Sequence, residues 1–280
     1  MRRAEGKGLR AAATAAFACA FSAALFAQWP AFVRQDTPRT SAGKPDLDAA
    51  PPRLPNGKID LSGTWESRIP PSGRLGGPMV PNLSPGDPPL AAFANIGQNV
   101  KEGLPFTPWA AELRKQRMAS NSKDNPDANC LPIGFMQLHT HSQPRKVVQN
   151  VNDLVIMYES NNGLRNILTD GRSLPSNDPQ PWWYGYSVGK YDGDTLVVET
   201  TGLRDEGWLD VNGAPFTSGA KITERFRRPN YGRMEIDITI DDARAYTKPW
   251  TVRVNWRLGA DEDLIEFICN ENNLDVKHLK

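Results

Sequence analysis

The chain has 280 residues, of which 39% are hydrophobic, and its 33 Lys and Arg against 32 Asp and Glu give a formal net charge of +1. The charges are spread along the chain without a basic block, which argues against nucleic acid or an anionic membrane surface as a partner. With only three histidines and three cysteines, the sequence offers few acid–base, metal or disulfide sites.

The N-terminus has the pattern of a secretory signal peptide. A short basic stretch, residues 1–10, precedes the uncharged, Ala-rich run from Ala11 to Ala27. The run is at the short end for a membrane span, although a retained N-terminal anchor is the alternative. We expect cleavage after Ala27, no membrane insertion afterwards, and a periplasmic or secreted mature protein.

The region after the signal peptide divides into a linker and one domain. Residues 28–55 are rich in Pro, Ala and charge without periodicity, which predicts a disordered linker. Residues 56–280 are long enough for a single domain with a sizeable core. Only Cys130 and Cys269 remain after cleavage, and an oxidising compartment favours a disulfide between them, with two buried free thiols as the alternative.

The domain opens with a strand predicted over 59–66, followed by a long Pro- and Gly-rich stretch from 70 to 126. One helix is predicted inside this stretch, over 110–118. Thr107 is a suitable N-cap for it and Pro108 suits the first helical position.

From residue 146 onward the pattern is one of short strands. In 233–240, for example, apolar and polar residues alternate strictly, which places one face in a core. The predicted strands cover 146–151, 154–159, 164–169, 184–190, 195–200, 220–227, 233–240, 250–258 and 263–269. Many sequential strands must close or stack to protect their edges, so we predict an all-β fold, an antiparallel lipocalin-like β-barrel with one short helix in a long early loop; a sandwich is the alternative.

Two resemblances accompany this pattern. Gly63-Thr64-Trp65 on the first strand resembles the G-x-W start of lipocalin-like (calycin) barrels. That resemblance implies a Trp that closes the bottom of the barrel and an interior that holds a small ligand.

A second resemblance covers nearly all of residues 62–272 and is to a large family of exported bacterial proteins with no assigned chemistry. It is carried by Cys130-Leu131-Pro132-x-Gly134, Asp170-Gly171-Arg172, the Gly189-x-x-x-Gly193-Asp194-Thr195-Leu196-Val197-Val198 stretch, Glu224-Arg225-Phe226-Arg227-Arg228 and Ala245-Tyr246-Thr247-Lys248-Pro249-Trp250.

This chain departs from that family's pattern at its histidines. Leu174-Pro175 stands where members often carry His-Pro, and Phe216-Thr217-Ser218 where they often have Pro-His-Ser. His139-Thr140-His141 lies instead in a stretch that is usually Pro-rich. Any chemistry of the family's histidines is therefore absent or relocated here.

His139 and His141 are the first catalytic candidates. On a strand, residues two apart project to one face, which suits an acid–base pair titrating near neutrality. The same spacing suits two metal ligands, but a third ligand has no obvious source beyond Glu159 or His278, so we assign no metal. Surface or structural histidines are the alternative.

Charged residues crowd into the strands that follow. We assign Arg145, Glu159 and Arg172 to the catalytic group with the two histidines, and Arg165 and Asp170 to ligand binding. Inward charges would have to pair inside a barrel, and an Arg fork could hold an anionic or carbonyl-bearing ligand. An exposed ladder of ion pairs is the alternative.

A dense aromatic patch lies before the fifth strand, at Trp182, Trp183, Tyr184 and Tyr186. Aromatic side chains supply core packing or a stacking surface for a ligand, and we assign these four to ligand binding.

Phosphate-loop, dinucleotide and nucleophile-elbow motifs are missing from the sequence, so no cofactor is expected. The first hypothesis is an exported, cofactor-independent enzyme, a lyase, isomerase or hydrolase, that acts on a small hydrophobic or aromatic molecule in the barrel. The alternative is a non-catalytic periplasmic carrier of a similar ligand. In both, the expected partner is a small molecule.

Overall fold

The computed structural model describes residues 33–67, 84–176 and 180–271, and the residues from Asp36 onward form one compact unit. The predicted signal peptide, residues 1–27, lies outside the described residues. The strands are β1 (Gly63–Glu66), β2 (Arg145–Gln149), β3 (Asp153–Tyr158), β4 (Gly163–Leu168), β5 (Tyr186–Asp192), β6 (Thr195–Thr201), β7 (Lys221–Asn230), β8 (Arg233–Asp241) and β9 (Trp250–Leu258). The helices are α1 (Pro108–Ala119) and α2 (Phe135–Thr140), with 3-10 turns at Pro126–Asn129 and Ser160–Asn162.

The nine strands close into one β-barrel, which confirms the predicted fold class. Strand β1 completes the barrel by pairing with both β2 and β9. One neighbouring pair corrects the prediction of an antiparallel sheet, because β4 and β5 run parallel. The connection 169–185 between them is long enough to return the chain to the end at which β4 began, as a parallel pair requires.

The alternating rows predicted from the sequence face the barrel interior. Met234, Ile236, Ile238 and Ile240 on β8 are all buried, and their polar neighbours are partly exposed. Burial of such rows from every strand supplies most of the hydrophobic stabilisation of the fold.

Trp65 of the G-x-W sequence is buried on β1, and its Nε1 donates to the Leu61 carbonyl at 3.0 Å. The Arg228 guanidinium lies over the ring, 4.8 Å from its centroid. Gly63 has a φ of +146°, and a Cβ there would overlap Leu258 of β9. A glycine is therefore needed where β1 closes onto β9.

In residues 33–55, the described part of the linker predicted for 28–55, the chain forms regular turns where disorder was expected. Within its described part, residues 38–46 and 52–60 form hydrogen-bonded turns with isolated bridges at Arg39 and Arg53. Leu47 accepts a bond from the Gly232 N–H at 2.8 Å, which docks the segment onto the β7–β8 turn. Its high Pro content fixes φ angles that suit such turns as well as they suit disorder.

Helix α1 has the predicted cap, since the Thr107 hydroxyl accepts from the Ala110 N–H at 3.3 Å with Pro108 at the first position. None of the described helices is long and apolar enough to cross a membrane.

The predicted disulfide between Cys130 and Cys269 is present, with the two Cα atoms 5.6 Å apart. The predicted strand 263–269 is wrong, because this segment runs as coil after β9. It is held by the disulfide and by side-chain bonds instead, among them Asn162 Nδ2 to the Phe267 carbonyl at 2.9 Å. Two of its apolar residues, Ile265 and Ile268, are exposed rather than buried in a sheet.

Candidate functional site

The barrel interior is filled by helix α2, all six of whose residues are buried. His139, near its C-terminal end, reaches Tyr158 on β3, Arg165 on β4 and Glu224 on β7. A side chain that contacts three strands around a closed barrel lies inside it. We call α2 the plug helix, since it occupies the space in which a ligand was expected.

The prediction that His139 and His141 share one face of a strand is wrong. His139 lies in the plug helix, and His141 is the residue that ends it. The His141 ring packs edge-on against Phe93, at 4.8 Å between centroids, and its Nδ1 accepts from the Gln143 N–H at 3.1 Å. A spacing of two residues does not distinguish a strand from a short helix, and Met136 and Leu138 favour the helix.

Both ring nitrogens of His139 are hydrogen-bonded inside the barrel. Nε2 lies 2.7 Å from Glu224 Oε1, and Nδ1 lies 3.0 Å from the Tyr158 hydroxyl. Because a carboxylate only accepts, Nε2 carries the proton and Nδ1 accepts from Tyr158. The three side chains form one chain of hydrogen bonds, Tyr158 to His139 to Glu224.

Burial sets the charge states along this chain. It lowers the pKa of His139 to about 4, so the imidazole is neutral at neutral pH. Burial alone would raise the pKa of Glu224, but the charge of Arg165 and the bonds from His139 and Arg165 lower it to about 2. Burial raises the pKa of the Tyr158 hydroxyl, which therefore stays protonated.

Arg165, predicted as a ligand-binding residue, is fully engaged within the protein. Its guanidinium makes a two-pronged ion pair with Glu224, in which Nη1 lies 3.0 Å from Oε1. Nη2 also donates to Ser187 at 3.1 Å and to Thr200 at 2.9 Å. The ring of Phe135 from the plug helix lies 4.1 Å from the guanidinium. A buried charge of this kind needs these partners to be tolerated at all.

Arg145, predicted to be catalytic, is buried and binds backbone carbonyls. It donates to His139 at 3.1 Å and to Gln143 at 2.6 Å, and also to His141. These carbonyls lie in the last turn of the plug helix or just after it, where a cation is favourable. Arg145 therefore positions the helix that carries His139.

The other predicted charges are not brought to His139. The buried Glu159 carboxylate accepts from the Ile265 N–H at 3.2 Å and holds the C-terminal segment. Asp170 and Arg172 form an exposed ion pair with each other, with Nε to Oδ1 at 3.0 Å. This pair is the surface arrangement that the sequence left open as an alternative.

The aromatic patch is divided among three environments. Trp182 is exposed and stacks on Tyr186, with centroids 4.3 Å apart. Tyr184 packs near Tyr158, at 6.4 Å between centroids, and its buried hydroxyl has no hydrogen-bond partner among the described residues. Trp183 lines a surface cleft.

This cleft, of about 750 Å³, lies outside the barrel between α1, the 3-10 turn region and the loop after β6. Its volume falls in the range typical of small-molecule sites, about 300 to 1,000 Å³. Its lining comprises Leu113, Gln116, Arg117, Ser120, Asp124, Pro126, Asn129, Leu131, Trp183, Arg204, Glu206 and Trp208.

Two arginine–tryptophan pairs form part of the cleft wall. Arg204 lies over Trp183, 4.7 Å from the ring centroid, and Arg117 lies over Trp208 at 4.5 Å. The Trp208 carbonyl accepts from Gln137 Nε2 at 3.1 Å. Since Gln137 belongs to the plug helix, the cleft and the filled barrel interior share a wall.

Three residues were not predicted from the sequence: Glu224 in the barrel interior, and Arg117 and Trp208 in the cleft. Glu224 carried a usable signal, because it interrupts the inward apolar row of β7 between Ile222 and Phe226. Arg117 and Trp208 carried none, since they come from separate segments that only the tertiary fold brings together. Among the described residues no group of three or more His, Cys, Asp or Glu could hold a metal ion, and His278 lies outside them.

Two sites are thus available chemically: a sealed Tyr–His–Glu chain that could relay a proton, and an open cleft with aromatic, apolar and cationic groups. Glu224 anchors the first, and Trp183 lies in the second. Comparison with protein-family models, with curated proteins and with solved structures found no match to this chain.

Proposed function

We propose that this protein is an exported carrier that holds a small hydrophobic or aromatic molecule in the surface cleft without transforming it. The observation that carries the proposal is the cleft itself, about 750 Å³ in volume, with Trp183 and the exposed Leu131 on its wall. Aromatic and apolar surface with a few polar groups is the usual lining of a ligand site.

The barrel interior is a weaker candidate site, both for ligand contact and for acid–base chemistry. His139 has no exposed surface, and both its ring nitrogens are bonded within the protein. A general base must reach the proton that it removes. The cleft is accessible without any rearrangement, and so it is the better candidate for ligand contact.

A cleft-filling substitution tests the proposal. Gln116 lines the cleft from the exposed side of α1, and its neighbour Lys115 does not line it. Gln116→Trp should weaken binding of 2-naphthoate, measured by isothermal titration calorimetry, at least tenfold. Lys115→Trp is the matched control and should bind as the unaltered protein does. Equal affinity in both variants would exclude this cleft.

Export is supported by the signal-peptide pattern and by the Cys130–Cys269 disulfide, which is typical of oxidising compartments. We expect the mature N-terminus at or near Gln28. Intact-mass measurement of protein recovered from the periplasm checks this, and a species that retains residues 11–27 would contradict it.

A second candidate is the acid–base enzyme expected from the sequence. It is favoured by one observation, the Tyr158–His139–Glu224 chain, in which a carboxylate orients an imidazole as in many proton-transferring sites. This function needs an opening beside Tyr184, whose ring packs near Tyr158 and whose hydroxyl has no hydrogen-bond partner in the described part of the chain. Conversion of a bound ligand, followed by proton NMR and lost in His139→Gln, would favour the enzyme; an unchanged ligand would favour the carrier.

A further inference from the structure

The four charged residues of the cleft are not equivalent. Arg204 and Glu206 neutralise each other through two contacts, Nη2 to Oε1 at 2.9 Å and Nε to Oε2 at 3.3 Å. Asp124 is exposed to solvent, where water screens its charge. Arg117 remains as the partly buried charge.

Arg117 is an anchored cation on which the charges of Tyr246, Asp210 and Asp124 act from a distance, without a close ion pair among the described residues. Its guanidinium lies 4.5 Å from the centre of the Trp208 ring, and Nη1 donates to the Gly213 carbonyl at 3.1 Å. Among the described residues, no Asp or Glu oxygen lies within 4.0 Å of its nitrogens. Gly213 has a φ of +82°, and the Arg117 stem packs where its Cβ would be.

An arginine has five N–H donors. Of those on Arg117, the described structure uses Nη1, which donates to the Gly213 carbonyl. The ring of Trp208 and the Gly213 carbonyl hold the guanidinium in place, so binding an anion would cost little additional ordering of this side chain. Burial lowers the pKa of Arg117 to about 10, which leaves it cationic at neutral pH but poorly solvated.

The apolar part of the lining, which lies beside the polar Gln116, Ser120 and Asn129, suits a flat apolar body. Trp183 is half-buried, and Leu113 and Leu131 add aliphatic surface from two other segments. Aromatic rings and aliphatic side chains around one fixed cation favour a ligand that is planar over most of its surface and charged at one end.

We propose that the ligand of the cleft is a planar aromatic monoanion of the carboxylate type, with its oxygens on the Arg117 guanidinium and its ring against the apolar wall formed by Trp183, Leu113 and Leu131. The inference rests on the proposed function and names its ligand class. An Arg fork matches two carboxylate oxygens, so a carboxylate fits better than a single hydroxyl.

Three probes of one shape test this class: 2-naphthoate, 2-naphthalenemethanol and 2-naphthylmethylamine. Their dissociation constants are measured by calorimetry at pH 7.5 and low salt. We expect 2-naphthoate to bind about 10- to 100-fold more tightly than the neutral alcohol, the range for a charge-assisted hydrogen-bonded pair. If the amine binds most tightly, Asp124 rather than Arg117 selects the charge of the ligand, and the inference is overturned.

Arg117→Gln should abolish the preference for the carboxylate while binding of the neutral alcohol persists, which also shows that the variant keeps its cleft. Arg117→Lys should retain part of the preference, since it keeps the charge but not the fork. Lys115→Gln removes the same charge from the same helix outside the cleft and should change nothing.

The outcomes separate this inference from the proposed function. If the carboxylate and the alcohol bind equally well and both lose affinity in Gln116→Trp, the proposed carrier function stands, but the proposal of an anionic ligand is wrong. No binding of any of the three probes would overturn both.

Discussion

His139 is a neutral imidazole inside the barrel. Because the whole chain has only three histidines, it was a conspicuous candidate residue in the sequence. Its neighbours explain why it is not free for chemistry at the surface. Glu224 and Tyr158 bind its two nitrogens, and the plug helix seals it. At this scale the protein uses its polar residues to hold the core together.

The depressed pKa of His139 predicts acid sensitivity. The unfolded chain binds a proton near pH 6.5 and the folded chain only near 4, so the unfolded state takes up more protons between these values. The contribution of the neutral His139 to the free energy of unfolding is therefore fully present above pH 6.5 and decreases as the pH falls. By pH 5 the free energy of unfolding should have decreased by about 2 kcal/mol.

Urea unfolding at pH 7.5, 6.5, 5.5 and 5.0 measures this loss. In His139→Gln the dependence over this window should flatten, although the variant is less stable throughout. His141→Gln is the control, because its ring is only half-buried, and it should keep most of the slope. An unchanged slope in His139→Gln would contradict the assignment.

The Arg165–Glu224 pair predicts a large effect from removal of one partner. Glu224→Gln leaves the Arg165 charge buried without a counter-charge and should lower the unfolding free energy by about 3 to 5 kcal/mol. The double variant Arg165→Met with Glu224→Leu removes both charges and should recover much of that loss. Chemical denaturation of the unaltered protein and the two variants checks this; a double variant that is no more stable than Glu224→Gln would contradict the charge pairing.

At the scale of elements, the sequence predicted the strands well because alternation is a direct consequence of a sheet with one buried face. Strand β9 has the predicted bounds, and the predicted 233–240 differs from β8 by one residue. Pairing direction between β4 and β5 could not be read, since alternation is the same in parallel and antiparallel strands.

The plug helix and the coil 263–269 could not be predicted from the sequence, for a different reason. The plug helix has only six residues, fewer than two turns, and its burial on every side leaves no amphipathic pattern to detect. The coil is rich in apolar residues, as a strand would be, but the neighbours of β9 in the sheet are β1 and β8. Contacts with distant parts of the chain determine the conformation of both segments.

Close packing of the plug helix predicts sensitivity at Gly134. A Cβ there would overlap the Trp208 carbonyl oxygen, which also accepts from Gln137. Gly134→Ala should lower the unfolding free energy by about 1 to 3 kcal/mol, the usual cost of overpacking. Gly219→Ala is the control, because its Cβ would meet only Thr217 Oγ1 at an ordinary 3.5 Å. Similar thermal melting of both variants would contradict this packing.

The disulfide ties the C-terminal coil to the segment that borders the cleft. It joins residues 139 positions apart, and the chain-entropy model gives about 4 to 5 kcal/mol as an upper value for a loop of this length. Cys130→Ser with Cys269→Ser should lower the unfolding free energy by up to that amount. Thiol labelling of the unfolded, unreduced protein should find neither cysteine free, and two labelled thiols would contradict the pairing.

At the scale of the whole molecule, a closed barrel would ordinarily place a ligand in its centre, as the lipocalin-like resemblance implied. Here the chain places its own helix there, and an open cleft lies outside the barrel, between α1 and Trp208, whose carbonyl accepts from Gln137 of that helix. A filled interior gives the barrel a rigid core, and the cleft is built on its outside.

The most direct test of this account locates the ligand. The eight tryptophans, labelled with 5-fluorotryptophan and assigned by Trp→Phe substitutions, are observed by fluorine NMR during a titration with 2-naphthoate. The account predicts that the Trp183 and Trp208 resonances shift, while those of Trp65 and Trp256 in the barrel core stay unchanged. Shifts of Trp65 and Trp256 with Trp183 unaffected would place the ligand inside the barrel and contradict it.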